Sequence, residues 1–278
     1  PSAMNDGLYE NLARQNWPNL PLYDNNGNPY SDVWPGRDFL QGGTYEKVTD
    51  NIYQQLSLSI EPIKNWVTTL EFNYKIKSAD TKSSSLKTYN CDIYGNPVDK
   101  DKATTSVTEE RYLENYLNGN LRMNYSFTAG DGHNFAFMAG AQVENLMQKQ
   151  TGITAYGLVS DALPEIDLTT GLIWDSASSS WVKKDLSPYG NRNSWATAGF
   201  FGRINYDWKG RYLVEGNIRY DGTSRYRDNL RWNLYPSISL GWNIANEDFW
   251  APYRRYMDLW KLRASYGSLG NQNTNGWY

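Results

Sequence analysis

Strict alternation of apolar and polar residues constrains the fold of this chain more than any other feature. The alternation recurs in eight segments, of which KLRASYGSLGNQN, residues 261–273, is the last. In that segment Leu262, Ala264 and Tyr266 fall on one face of an extended chain, whereas Lys261 and Arg263 fall on the other. A period of two residues is typical of a β-strand whose two faces meet different environments. The sequence therefore predicts an all-β, antiparallel protein.

Seven earlier segments follow the same rule. They run over residues 52–61, 66–77, 113–127, 134–144, 196–208, 211–221 and 232–244. Short turns are predicted near Pro62, Gly130 and Lys209, whereas the connections over about residues 79–105 and 150–191 are long and rich in Gly, Ser, Asn, Asp and Tyr. Short turns at one end and long loops at the other are typical of outer-membrane barrels.

Three features favour a membrane barrel, with its apolar face against lipid, over a soluble barrel or sandwich with its apolar face inward. The predicted strands reach about 10–15 residues, longer than is usual in soluble sheets. The opposite face carries Arg, Lys, Glu and Asn. Tyr and Trp, which number 22 and 12 against 8 Phe, recur near strand ends, as in aromatic girdles: Trp66, Tyr125, Tyr206, Trp208, Tyr220, Trp232 and Trp242.

Composition excludes several other functions. The net charge is −3 and no basic cluster is dense, which argues against nucleic acid as a partner. Cys91 and His133 are single, so no internal disulfide forms and zinc sites or Ser-His-Asp triads are not expected. No run of 18 apolar residues occurs, so no transmembrane helix is predicted.

Two local patterns could suggest a site but fail on spacing. The stretch DNNGN, residues 24–28, begins like a calcium loop, but Pro29 and Pro35 occupy positions that require glycine and an acid. Glu109 and Glu110 are adjacent, so on a strand they point to opposite faces and cannot act together in glycoside hydrolysis. The sequence predicts no catalytic residue, no metal and no cofactor.

The segments GRINYDWKGRYLVEGNIRYDGTSRY, RWNLYPSISLGWNIANEDFW and LWKLRASYGSLGNQN resemble consecutive strands of the SusC/RagA family of TonB-dependent outer-membrane transporters. The earlier segment NIYQQLSLSIEPIKNWVTTLEFNY and the loop LYDNNGNPY resemble preceding barrel segments of the same family. The resemblance is strong over residues 195–273 and weaker over 20–150. Residues 151–190 do not share it.

This resemblance implies a transmembrane β-barrel of about 22 antiparallel strands with an N-terminal plug in its lumen. Family members import oligosaccharides or peptides across the outer membrane of Gram-negative bacteria. A SusD-like surface lipoprotein covers the outer end, and TonB pulls on the N-terminal region. This chain accounts for about eight of those strands and lacks the plug and the C-terminal strands, so we expect it to be part of a longer protein.

Two regions are expected. Residues 1–49, which do not alternate, are predicted to form an extracellular loop region with a short helix over DGLYENLARQNW, beginning at Asp6. Residues 50–278 are predicted to form barrel strands and long extracellular loops.

Two groups of site residues follow from this assignment. Lumen contacts to the plug are predicted at Arg203, Glu215, Arg219, Asp221 and Arg263. Aromatic residues of the outer loops either stack on sugar faces or pack against the loops and the lid lipoprotein; these are Trp17, Tyr23, Tyr30, Trp34, Tyr89, Tyr94, Trp174 and Trp181. The leading function is active nutrient import, with a passive or structural outer-membrane barrel and a soluble carbohydrate-binding β domain as the alternatives.

Overall fold

A computed structural model describes residues 41–91, 94, 96–99, 104–175 and 177–270, together with residues 10, 23 and 27. The strands in these ranges are β1 (Tyr45–Ile63), β2 (Trp66–Ser85), β3 (Tyr89–Cys91), β4 (Pro97–Asp99), β5 (Ser106–Ala129), β6 (His133–Tyr156), β7 (Leu172–Asp175), β8 (Ser180–Lys183), β9 (Ser187–Trp208), β10 (Tyr212–Thr223), β11 (Trp232–Asn243) and β12 (Lys261–Gly267). Short 3-10 helices span Asp228–Leu230, Ile244–Asn246 and Asp248–Tyr253. In the part of the chain that the structure describes, no helix is long and apolar enough to cross a membrane.

Eight of the strands form one sheet in the order β1-β2-β5-β6-β9-β10-β11-β12. Each corresponds to one of the eight alternating segments, so the predicted antiparallel all-β fold is confirmed. The short turns near Pro62, Gly130 and Lys209 are confirmed as well. Lys209 and Gly210 both have positive φ, 49° and 65°, which is the backbone of a tight hairpin turn that matches the twist of its strands.

The strands are longer than the alternation indicated. β5 and β6 each have 24 residues, and β1 begins at Tyr45, before the expected boundary at residue 50. The polarity pattern marks a strand only where its two faces meet different environments. Where both faces are polar, as along the end of β2 and the start of β9, the extended backbone continues without that signal.

Two small hairpins lie within the long connections and were not predicted. β3 pairs with β4, and β7 pairs with β8, each as an antiparallel ladder of a few residues. Such strands are too short to show an alternating pattern.

The chain divides into two compact units. The first comprises Pro1–Asp50, Lys77–Leu113 and Lys149–Asn191, and it contains both hairpins and the long connections. The second comprises Asn51–Ile76, Glu114–Gln148 and Arg192–Tyr278, and it contains the short turns and the alternating strand segments.

The apolar face of the sheet in the second unit is exposed. On β11, Leu234, Ile238 and Leu240 are each at least half exposed, whereas the intervening Ser237 and Ser239 are partly buried. The same alternation holds on β10, where Val214 and Ile218 are exposed. A soluble sheet would bury this face, whereas a membrane barrel turns it toward lipid.

Candidate functional site

The polar face of the sheet in the second unit carries all five charged residues that the sequence analysis assigned to the lumen. Arg203 lies on β9, Glu215, Arg219 and Asp221 on β10, and Arg263 on β12. Residues paired across neighbouring strands share a face of the sheet. Glu215 pairs with Asn205 on one side and Ser239 on the other. The register therefore gives this face a continuous polar surface, opposite Val214 and Leu240.

Arg219 joins β10 to β6 across the intervening strand. Its Nε donates to both carboxylate oxygens of Asp221, at 2.8 and 2.6 Å, and a terminal nitrogen donates to Oε1 of Gln142 at 3.1 Å. The guanidinium also lies 5.7 Å from the centre of the Phe201 ring. Charge-assisted bonds of this kind are stronger than neutral ones, so Arg219 holds three strands in a fixed relation.

Glycine creates the space for this cluster. Gly199 pairs with Asp221 across β9 and β10, and a Cβ atom at residue 199 would collide with Oδ1 of Asp221. Gly140 on β6 lies beneath the Phe201 ring, where a Cβ would collide with the ring carbons. Both positions thus need a residue without a side chain because a partner from the next strand occupies that volume.

Arg203 and Arg263 occupy the same face nearer the turns. Nε of Arg203 donates to Oδ1 of Asn217 at 2.5 Å, and Asn217 in turn donates to Oε1 of Glu215 at 2.9 Å. Arg263, paired with Gly241 on β11, contributes with Glu215 to the lining of a cleft of about 700 Å³. The cleft is open to water and presents both signs of charge.

Sequence reasoning missed the centre of the polar network, which is Glu144 on β6. Its Oε1 accepts bonds from Gln142 at 2.8 Å and Asn118 at 3.3 Å, and its Oε2 accepts one from Thr197 at 3.4 Å. Asn118 is itself buried and also accepts a bond from Asn73 at 3.2 Å. Glu144 falls on the polar side of the β6 alternation, and that position in the pattern is the signal that could have identified it.

A second carboxylate missed in the same way is Glu114 on β5. It forms an ion pair with Lys75 at 3.2 Å and accepts a bond from Gln148 at 3.0 Å. Together with the Glu144 and Arg219 groups, it extends the hydrogen-bonded surface from β2 to β10. Among the described residues, no group of three or more His, Cys, Asp or Glu side chains could hold a metal ion.

Most charged groups of this face already have hydrogen-bond partners on their own strand or on a neighbouring strand, so the face can bind water or another polar surface. Such paired groups can exchange hydrogen bonds with water or with another polar surface at small cost. The arrangement suits the wall of a wet lumen.

The loop aromatics lie in several different places. Trp174 and Trp181 face each other across the β7–β8 hairpin, with ring centres 5.7 Å apart at 73°. Trp181 is half exposed and lines a cavity of about 410 Å³ together with Leu172 and Thr105. Thr105 and Leu172 thus lie beside an exposed indole in this cavity.

The other predicted loop aromatics are less informative. Tyr94 and Tyr23 are exposed, and Tyr89 lies in β3. Trp17, Tyr30 and Trp34 lie outside the described residues. So does the predicted helix over residues 6–17, except for residue 10, which is helical. Their contact with substrate or lid therefore stays a prediction.

A belt of aromatic rings, some stacked and some tilted, covers the apolar face near the short turns. The belt comprises Trp66, Tyr125, Phe127, His133, Phe135, Phe137, Tyr206, Trp208, Tyr212 and Trp242. Neighbouring members lie 5.0 to 6.5 Å apart between ring centres. A second group, Phe200, Tyr220 and Trp232, stacks at the other end of the same strands.

The spacing of these two aromatic groups matches a membrane. Trp242 and Trp232 are ten residues apart on β11, which corresponds to about 33 Å along a strand. A strand tilt of roughly 40° reduces this to about 25 Å, the height of the apolar band of outer-membrane barrels.

Ion pairs connect the turns below the belt. Lys209 binds Asp131 across two turns at 2.5 Å, and Arg211 binds Asp248 at 2.6 Å and Glu247 at 3.4 Å. The hydrogen bond from Lys209 and its charge lower the pKa of Asp131. The bond from Arg211 lowers the pKa of Asp248 in the same way. These carboxylates are therefore charged wherever the native contacts are present at neutral pH.

Comparison with known proteins shows which family of proteins the chain matches. The family model described as "TonB dependent receptor-like, beta-barrel" matches residues 2–277. TonB-dependent receptor P39 of Formosa agariphila is 27% identical over 280 residues, which cover 97% of this chain and 25% of that protein. TonB-dependent receptor SusC of Bacteroides thetaiotaomicron is 39% identical over 90 residues, 32% of this chain and 9% of that protein. The chain thus spans about a quarter of the P39 length.

Solved structures agree on the fold. The RagAB peptide transporter superposes on 86% of this chain and 26% of its own chain, with a TM-score of 0.68 and 16% sequence identity. The RagAB peptide importer in its closed-closed state gives a TM-score of 0.65 over 82% of this chain and 23% of its own, at 18% identity. At these identities the likeness concerns the fold alone.

Proposed function

The chain belongs to the TonB-dependent receptor-like β-barrel family, and from this we propose that its parent protein imports nutrients across the outer membrane of a Gram-negative bacterium. The observation that carries the proposal is the inverted polarity of the sheet. Its apolar face is exposed and bordered by aromatic residues, whereas its polar face carries matched charges. A sheet of this kind is suited to separate lipid from an aqueous lumen.

The polar face is proposed to form the wall against which a plug domain packs. A barrel as wide as those of this family holds a plug rather than an open channel. Arg203, Glu215, Arg219, Asp221 and Arg263 would then exchange hydrogen bonds with the plug. Because each of the first four already has a partner within the sheet, contacts with the plug can form and break without leaving a charge bare.

The first unit is proposed to face the outside of the cell, as part of the vestibule for substrate and of the surface for a SusD-like lipoprotein. Oligosaccharides and peptides are both candidate substrates. The cavity beside Trp181 could receive either a sugar ring or an aromatic side chain, since each stacks on an indole. The proposed role is binding and transport rather than covalent chemistry, with energy supplied by TonB.

The direct test is uptake in cells with and without TonB. The parent protein would be produced in both strains, and entry of radiolabelled oligosaccharides and of radiolabelled peptides would be measured separately. We expect uptake of one of the two pools, and its loss when TonB is absent. A plugged lumen blocks passive flow, so transport requires force delivered from the inner membrane.

The control is the amount of folded barrel in the outer membrane, which should be equal in the two strains. Undiminished uptake without TonB would instead establish a passive barrel. A third outcome is that neither pool enters the wild-type cells above the level of a strain that lacks the parent gene. The proposal that the parent protein imports oligosaccharides or peptides would then be wrong.

A further inference from the structure

We propose that the connection between β11 and β12, residues 244–260, is a membrane-surface anchor that binds the phospholipid headgroup layer at the short-turn end of the strands. The proposal goes beyond import and rests only on insertion of the barrel into a bilayer. It concerns the segment FWAPYRRYMDLW, residues 249–260, which is long for a turn at this end of the sheet.

The segment exposes an unusual concentration of large apolar side chains. Phe249, Tyr253, Tyr256, Met257 and Leu259 are between 48% and 84% exposed. Contiguous exposure of this kind marks a surface that is covered in the working molecule. Tyr residues, with one apolar and one wet end, favour the membrane–water interface.

The segment is rigid rather than loose. The Trp250 ring lies 4.4 Å from that of Trp260, and its Nε1 donates to the carbonyl of Met257 at 3.1 Å. Nε of Arg254 donates to the carbonyl of Ala245 at 2.7 Å. The exposed rings are therefore presented by a backbone that these contacts hold in place.

The segment also continues the aromatic belt. Trp242, the belt residue at the end of β11, donates from Nε1 to Oε1 of Glu247 at 2.9 Å. The backbone amide of Ala245 donates to the carbonyl of Trp260 at 3.2 Å. Because the belt faces lipid, this continuity identifies the bilayer surface, rather than another protein, as the occupant.

Charge complements the headgroups. Arg255 is exposed, and in the described ranges no carboxylate pairs with its guanidinium. Arg254, by contrast, is bound within the segment. A guanidinium binds phosphate oxygens through two parallel hydrogen bonds, so Arg255 is the residue that we assign to the phosphodiester of a glycerophospholipid.

Spin labelling of the full-length parent tests the proposal. With native cysteines replaced by serine, a nitroxide would be attached in turn to Tyr256→Cys, Lys64→Cys and Leu240→Cys in vesicles of phosphatidylethanolamine and phosphatidylglycerol. Collisions with oxygen and with a water-soluble nickel complex report the depth of each label. We expect the label at residue 256 to show a ratio of oxygen to nickel collisions between those of the lipid-facing residue 240 and the turn residue 64, with nickel collisions clearly fewer than at residue 64.

Failure of this proposal and failure of the proposed function give different results. Nickel access at residue 256 equal to that at residue 64 would overturn the proposal, as would exclusion of both reagents, which indicates cover by protein. Nickel access at residue 240 would show that the barrel itself is not inserted, which is failure of the proposed function.

The role of Arg255 has its own control. R255Q should shift the residue 256 label toward water, whereas R227Q, at an exposed arginine in the β10–β11 connection, should leave its depth unchanged. An unchanged depth in R255Q would overturn the phosphate contact.

Discussion

At the scale of residues, neighbouring positions on β11 separate the two environments of the sheet. Leu240 is 53% exposed on the apolar face, and Ser239 lies on the polar face opposite Glu215. We expect L240R to lower the free energy of unfolding in lipid by roughly 2–4 kcal/mol, because it places a charge against hydrocarbon. S239R should be tolerated, since its side chain enters water.

Urea titration of the parent barrel in lipid vesicles measures both variants under the same conditions. Equal stability of L240R and S239R would contradict the assignment of the two faces.

Gly199 gives a second prediction at this scale. G199A should displace the Asp221 carboxylate and break its pair with Arg219, because a Cβ at residue 199 occupies the position of Oδ1. Overpacking of this kind costs about 1–3 kcal/mol. G216A is the matched control, since a Cβ at residue 216 meets nothing within 4 Å. The same urea titration applies, and equal losses in the two variants would show that the Arg219 cluster adapts freely.

At the scale of elements, the β11–β12 connection should respond to acid. Arg211 lowers the pKa of Asp248 below its usual value. A carboxyl with a lowered native pKa stabilises the folded contact above its unfolded pKa, and this contribution disappears as the pH falls through the native value. We therefore expect the connection to loosen only below about pH 4.

The mobility of a nitroxide at Ala251→Cys would report this change. The label should gain mobility on acidification of the wild-type background and should already be mobile at neutral pH in D248N. D258N removes an exposed carboxylate from the same connection and should retain the wild-type titration. A D248N spectrum identical to wild type at neutral pH would exclude a role for the pair in holding the connection.

Particular elements show what a sequence can predict here. β11 was recognised because apolar and polar residues alternate along it from Trp232 to Asn243. The outer part of β5 was missed because polar residues such as Glu109 and Glu110 occupy both of its faces. The alternation of polar and apolar residues along β10 assigned Arg219 to the polar face. Its bond to Gln142, 77 residues away, depends on the register of separate strands, which no local pattern encodes.

At the scale of the whole molecule, the chain spans 25% of the length of its relative P39. The plug, the remaining strands and TonB coupling therefore belong to the proposal for the parent protein. Substrate choice was not predictable from the sequence because it depends on the shape of folded loops, such as the cavity beside Trp181, rather than on a motif. The polarity of the sheet, by contrast, is a local property that β10 and β11 both show.

The most direct test of that polarity is cysteine accessibility along β11 in the full-length parent within outer-membrane preparations. Single cysteines at Ser237, Ile238, Ser239 and Leu240 would be exposed to a charged, water-soluble maleimide, and the extent of modification measured by mass spectrometry. We predict reaction at residues 237 and 239 and protection at 238 and 240, because the first pair faces an aqueous lumen and the second faces lipid. Reaction at 238 and 240 with protection at 237 and 239 would contradict the account.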